Sequence, residues 1–212
     1  MAGDLKKRAL EILKRLKKTY PDARCELDYS NVLELAIGAI LSAQCTDKRV
    51  NMVTPALFKK YRTAKAWAGT DQATLENEIR STGFFRNKAK NIRALCAVLD
   101  EKFGGKVPDD FDALCELPGI GRKTANLLMA SGFNRPGIVV DTHMTRLAGR
   151  LGFTKHTDAV KIEFDLREIV PEKDWTTWSH SIVWHGRRCC FARKPNCAGC
   201  SVNDLCPSAF KV

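Results

Sequence analysis

The sequence predicts an all-α protein on three observations. Apolar residues recur at helical spacing along almost the whole chain, alternating strand patterns are absent, and the one β-branched run, Ile138 to Val140, is short. With 212 residues the chain can bury a substantial core, as one domain or two small ones, without help from a metal.

Leu5, Ala9, Ile12, Leu13 and Leu16 form one apolar stripe, ringed by Lys6, Lys7, Lys14, Lys17 and Lys18 as a solvated face, and Pro21 stops that helix. Asn31 caps a helix over Val32 to Leu41 that is apolar on nearly all sides, so it belongs in the middle of a bundle. A polar break from Ser42 to Asp47 exposes Gln44 on a turn. Thr46 caps the next helix, and Thr54-Pro55 restarts it as cap and first-turn proline. Leu75 and Ile79 lie on a helix closed by Gly83, after which the adjacent aromatics Phe84 and Phe85 precede a start at Asn87 and a helix to Phe103. Gly104-Gly105 and Pro108 end that segment. Two short helices, Phe111 to Leu117 and Arg122 to Phe133, flank Pro118-Gly119-Ile120-Gly121, and Asn134-Arg135-Pro136-Gly137 is the clearest linker. Asp141 opens a helix to Leu151, Thr157 caps another ending at Pro171, and Trp175 to His185 is the last.

Lys and Arg outnumber Asp and Glu by 35 to 24, a net charge of +11 that favours a polyanionic partner. Membrane surfaces are anionic too, but no apolar run reaches spanning length: Val32 to Leu41 is the best candidate and contains Glu34. The stretch Met1 to Leu16 lacks a signal peptide's apolar middle and carries Asp4 and Glu11, which transit peptides avoid, so we expect a soluble cytoplasmic protein. The scattered Cys25, Cys45, Cys96, Cys115 and Cys189 fit a reducing compartment.

Three constellations carry chemistry. Cys190, Cys197, Cys200 and Cys206 form a C-x6-C-x2-C-x5-C run, in which closely spaced thiolates suit zinc or an iron-sulfur cluster; spacing alone leaves both open. Leu117 to Lys123 joins two helices through a tight turn whose Gly119 and Gly121 permit positive φ and close approach of a ligand. Amides at the following helix start suit a DNA phosphate, with Arg122 and Lys123 directly after. The helix dipole and partial burial would both favour the neutral, nucleophilic amine of Lys123; a phosphate-binding cation is the plain alternative. Asp141 in VVDTH is placed to cap a helix, and a carboxylate that accepts backbone N–H bonds stays ionised and can stabilise a developing oxocarbenium ion.

Taken together, LPGIGRKTAN, VVDTH, LSAQCTD and the cysteine tail resemble the endonuclease III family, bifunctional DNA glycosylase/lyases of the helix-hairpin-helix superfamily. The likeness runs over nearly the whole chain in the family's order, and HGRRCCFARKPNCAGC is among its most specific segments. It implies two helical domains flanking a DNA-binding cleft: residues 1–25 with 136–212, carrying a C-terminal [4Fe-4S] cluster loop at 190–206, and residues 26–135, carrying the helix-hairpin-helix at 111–133. Cys190, Cys197, Cys200 and Cys206 become the cluster ligands; Cys189 is an extra thiol, and only Cys190 preserves the spacing. The cluster loop would present Arg193 and Lys194 to DNA.

The resemblance further implies a monomer that removes oxidised pyrimidines from double-stranded DNA and cuts abasic sites by β-elimination, with Lys123 as nucleophile and Asp141 as the essential carboxylate. Gln44 matches the residue that fills the gap left by the extruded nucleotide. Phe84 takes a second wedge position where an aliphatic residue is common, and Cys45 replaces a small or hydroxyl residue. Gly119, Gly121 and Arg122 would dock the DNA backbone, and the carbonyls of Cys115, Leu117 and Ile120 would hold a monovalent cation. An adenine glycosylase acting on mismatches shares hairpin, aspartate and cluster but usually lacks the lysine and carries a further C-terminal domain; Lys123 and the ending at Val212 argue against it. A catalytically silent DNA-binding protein is the rival from another class.

Overall fold

The computed structural model describes residues 2–212, and Met1, the first residue of the stretch read for a targeting signal, lies outside it. Among the described residues there are helices and no strand, as the apolar spacing predicts. They form two compact units. One comprises the described residues up to Cys25 with Arg135–Val212, the other Glu26–Asn134.

In the first unit, α1 (Ala2–Thr19) buries Ala9, Ile12, Leu13 and Leu16 and leaves its lysines in water. The second unit is built around α2 (Val32–Leu41), capped by Asn31, whose Oδ1 accepts the Glu34 N–H at 3.0 Å. Every residue from Leu35 to Leu41 is buried, which explains a helix apolar on all sides. Truncating one of these side chains, Leu35→Ala, would cost about 2–5 kcal/mol in lost transfer energy and cavity formation.

Thr46 caps α3 (Asp47–Lys60) as expected, but α3 runs through Pro55 without restarting. Thr54 points into the core beside Val50 and Leu57 and its hydroxyl finds no partner, so it caps nothing. Pro55 sits on the exposed face. A further helix, α4 (Ala64–Gly69), is capped by Thr63; six residues are too few to display a period in the sequence. Then α5 (Gln72–Glu78) gives way to a 3-10 turn at Arg80–Thr82 before Gly83.

The next helix, α6 (Phe85–Phe103), begins two residues earlier than Asn87, because left-handed Phe84 makes the reversal by itself. Both hairpin helices are shorter than predicted: α7 (Phe111–Cys115) and α8 (Arg122–Leu127), the latter continued by a π turn at Leu128–Gly132. Gly132 in that turn presses on α2, where a Cβ would come within 3.0 Å of Val32 Cγ1.

Beyond the linker, Ile138, Val139 and Val140 are buried as irregular chain leading into α9 (Thr142–Arg150). The cap of α10 (Ala159–Ile169) is Asp158 rather than Thr157: both residue types can cap, and it is the Asp158 Oδ1 that accepts the Lys161 N–H at 2.9 Å. Three residues beyond His185, α11 (Trp175–Arg188) ends at the cysteine loop. Its Gly186 lets α9 come close, since a Cβ there would stand 3.0 Å from His143 Cβ. The α1 stripe, Met144, Leu147, Ile162, Leu166, Trp178 and Ile182 make this unit's core. No described helix is long and apolar enough to cross a membrane.

Candidate functional site

The hairpin is built by short backbone bonds. Asp110 caps α7 through the Ala113 N–H at 2.8 Å, Leu117 N–H donates to Leu114 O at 3.1 Å, and Ile120 N–H donates to Leu117 O at 3.0 Å. Buried Leu117 and Ile120 anchor the turn. Gly119 needs to be glycine twice over: its φ is +77, and a Cβ would meet Asn91 Cβ at 3.0 Å and Ile40 Cδ1 at 3.3 Å. Gly121 makes no use of the positive φ that glycine permits. It is extended, at φ −94, precedes α8 as its cap, and a Cβ on it would meet nothing within 4 Å. The Arg122 guanidinium stands 4.9 Å from the centre of the Phe111 ring. Lys123 is exposed, not partly buried as expected, because α8 turns Ala125 and Asn126 inward instead.

Gln44 and Phe84 occupy separate turns of the same unit with one feature in common. Each is exposed and each holds a left-handed backbone, at φ 52 and φ 48. Non-glycine residues reach that region at a cost of about 1 kcal/mol or more, so both turns are over-determined by their surroundings. Phe84 is 61% exposed, an unusual placement for a phenyl ring. Cys45 is half-buried and donates its N–H to Ser42 O at 3.0 Å.

Asp141 lies in the other unit, half-buried at the start of α9, where its Oδ1 accepts the Met144 N–H at 2.8 Å. Burial holds the neighbouring His143 below the ordinary imidazole range, against the opposing pull of the Asp141 carboxylate. One turn on, Arg146 donates to Gly186 O at 2.9 Å and Cys190 O at 3.0 Å, which ties the aspartate's helix to the cysteine loop.

Cys190, Cys197, Cys200 and Cys206 all line one cavity, whose apolar wall includes Leu147, Leu151 and Val202. Arg150 reaches it with one Nη 3.2 Å from Cys190 Sγ and holds the loop beyond by bonds to Phe191 O at 2.7 Å and Ala192 O at 2.9 Å. Asn196 N–H closes that loop on Cys189 O at 3.0 Å, leaving Arg193 and Lys194 exposed at its tip. The fifth thiol, Cys189, is buried and donates to Asn196 O at 3.4 Å. Its sulfur also lies within 4.8 Å of donor atoms on His185 and Cys200, a trio compact enough for a single ion. An iron-sulfur cluster asks for something else, four thiolates around one shared cavity. The four motif cysteines fit that demand, and burial, which pushes His185 down to about 4, keeps this imidazole neutral beside them.

Residues 37–172 match the family described as HhH-GPD superfamily base excision DNA repair protein, and residues 190–206 match the iron-sulfur binding domain of endonuclease III. Endonuclease III of Synechocystis sp. is 53% identical over 205 residues, 96% of this chain and 94% of that protein. The chain belongs to the endonuclease III family. Two solved structures, a non-covalent endonuclease III–DNA complex and a trapped endonuclease III–DNA covalent intermediate, each match with a TM-score of 0.92 and 44% identity over 96% of both chains. The endonuclease III iron-sulfur match begins on Cys190 and ends on Cys206, which decides iron-sulfur over zinc.

Two side chains escaped the sequence reading. Arg150 organises the cluster loop. Lys88 falls on the buried stripe of α6 with Ala89, Ile92, Leu95, Cys96 and Leu99, and a lysine in phase with an apolar stripe was the signal that could have found it.

Proposed function

We propose that this chain is a base-excision-repair DNA glycosylase that removes oxidised pyrimidines from duplex DNA and then cleaves the abasic strand by β-elimination. The observation that carries the reading is an exposed amine, Lys123, in the hairpin of a chain alike over 96% of its length to a relative caught as a covalent DNA intermediate. The unit Glu26–Asn134 is read as the hairpin domain, and the other as the domain carrying the cluster and Asp141.

A base inside the duplex shields its sugar, so the nucleotide is extruded first, with Gln44 and Phe84 filling the space it leaves. Their exposure and left-handed turns suit side chains that must project. Open space at Gly121 leaves room for a phosphate against the backbone, and Arg122, Arg193 and Lys194 add charge-assisted contacts without reading sequence. Gly119 keeps the hairpin tight. The carbonyls of Cys115, Leu117 and Ile120 are the candidate holders of a monovalent cation.

Asp141 then stabilises positive charge on the sugar as the glycosidic bond breaks, and Lys123 Nζ bonds to C1′ while the base leaves with the electron pair. The C1′–O4′ bond then breaks, O4′ taking the proton that the amine gives up, and the resulting iminium acidifies C2′. Loss of that proton expels the 3′ phosphate, and water hydrolyses the Schiff base to free the amine. Cys190, Cys197, Cys200 and Cys206 hold the cluster, which serves as a structural support for the basic loop. The enzyme acts as a monomer in the cytoplasm, on nucleoid DNA.

Borohydride reduction in the presence of duplex carrying one oxidised pyrimidine or abasic site tests the reading. A covalent protein–DNA species is expected with the wild type and absent with Lys123→Gln. No trapped species from the wild type would leave a silent DNA-binding protein.

A further inference from the structure

The turns carrying Gln44 and Phe84 are far apart in sequence yet meet at one buried atom. Lys88, on α6, is 3% exposed. Its Nζ donates to Leu41 O at 2.7 Å and to Thr82 O at 2.7 Å. Leu41 is the last residue of α2, three before Gln44; Thr82 ends the 3-10 turn, two before Phe84. The same residue's backbone N–H donates to Phe84 O at 3.1 Å.

The two carbonyls are natural partners for a cation. Groups at helix C-termini lack intrahelical donors, and the negative end of the dipole attracts positive charge. Burial nonetheless works against the ammonium and pulls it below its ordinary range. A leucine or methionine would fill the same stripe of α6 without that desolvation. What only the ammonium adds is a two-point bond between the bases of the two turns, with bonds to a charged donor being stronger than neutral ones.

We propose that Lys88 is a positioning residue that holds the Gln44 and Phe84 turns at a set separation, so that both side chains enter the duplex together during nucleotide extrusion. This rests on the reading of Gln44 and Phe84 as gap-filling side chains. Lys88 touches neither DNA nor the reacting atoms. It acts through the turns, and its loss lets each drift independently, by the sort of displacement of about 1 Å that costs an enzyme up to roughly 100-fold in rate.

The test is a double-mutant comparison with single-turnover excision as the readout, on a duplex carrying one oxidised pyrimidine. Lys88→Met is expected to slow excision roughly tenfold or more in the wild-type background. In a Gln44→Ala/Phe84→Ala background the same change should slow it less than about threefold, because the turns no longer carry the side chains to be placed. A merely structural lysine would cost the same factor in both backgrounds. Equal factors, or an unchanged rate in the wild-type background, overturn the proposal. If Lys88→Met fails to fold, Lys88→Gln, which keeps an amide donor, takes its place; loss of helical signal in both would assign Lys88 to the core alone and also overturn it. Borohydride trapping by the wild type, run alongside, separates the two readings. Trapping with equal Lys88 factors rejects only the tether, whereas no trapping rejects the glycosylase/lyase itself.

Discussion

Asp141 Oδ1 accepts the Met144 backbone N–H at 2.8 Å, so the carboxylate assigned to stabilising the sugar cation is at the same time the cap of α9. The two duties separate by substitution. Asp141→Asn keeps an oxygen that can cap but removes the charge; Asp141→Ala removes both. We expect both variants to lose excision by roughly 100-fold or more, and only the alanine variant to lose about 1 kcal/mol of stability as well. Thermal melting and single-turnover excision measure the two effects. Full activity in Asp141→Asn would remove the charge from the mechanism.

Lys123 gives the opposite pattern. Its side chain is exposed on a short helix, so Lys123→Gln should change stability by no more than about 0.5 kcal/mol. Strand scission at abasic sites should nevertheless vanish, because glutamine cannot form a Schiff base. Gel analysis of nicked product beside a melting curve decides it. Scission at the wild-type rate would move the nucleophile elsewhere.

Adjacent thiols make the cluster assignment testable one atom at a time. Cys190 carries the family spacing and lies 3.2 Å from an Arg150 nitrogen, whereas Cys189 is buried against Asn196 O. Cys190→Ser is expected to lose the visible absorbance and iron content of anaerobically purified protein, and Cys189→Ser to keep both. The reverse result would shift the first ligand to Cys189 and favour the compact trio with His185 and Cys200.

Periodicity made the long elements legible, and it failed where a residue type admits two roles. The fully apolar stretch Val32–Leu41 announced a buried helix, and Asn31, Thr46 and Asp141 announced caps, because those signals are local. Thr54-Pro55 looked like a helix start for the same local reason. Only the tertiary face, Thr54 inward and Pro55 outward, shows that α3 continues. The motif residues were readable in kind, but their exposure was not: Lys123 points to solvent because Ala125 and Asn126 take the core side of α8, and which residues win that competition is set by neighbours distant in sequence. Lys88 shows the same limit. Its partners Leu41 and Thr82 are 47 and 6 residues away, and nothing in a linear pattern pairs them.

The cluster loop yields the last prediction. Arg150 grips Phe191 O and Ala192 O, and the loop it holds ends in exposed Arg193 and in Lys194, whose backbone is left-handed at φ 52. Glycine at Lys194 would relieve that backbone as well as remove the charge, so Lys194→Ala is the cleaner variant: alanine keeps the Cβ that lysine already carries there and removes the ammonium. If Lys194 contacts a phosphate, the slope of log affinity against log salt should fall by about one in Lys194→Ala, and by a similar step in Arg193→Ala. The weakening should be the same for damaged and intact duplex, since a backbone contact carries no base information. Fluorescence anisotropy titrations over a series of salt concentrations measure both quantities. An unchanged slope in both variants would take this loop out of the DNA interface, and a loss confined to damaged duplex would place it at the lesion instead.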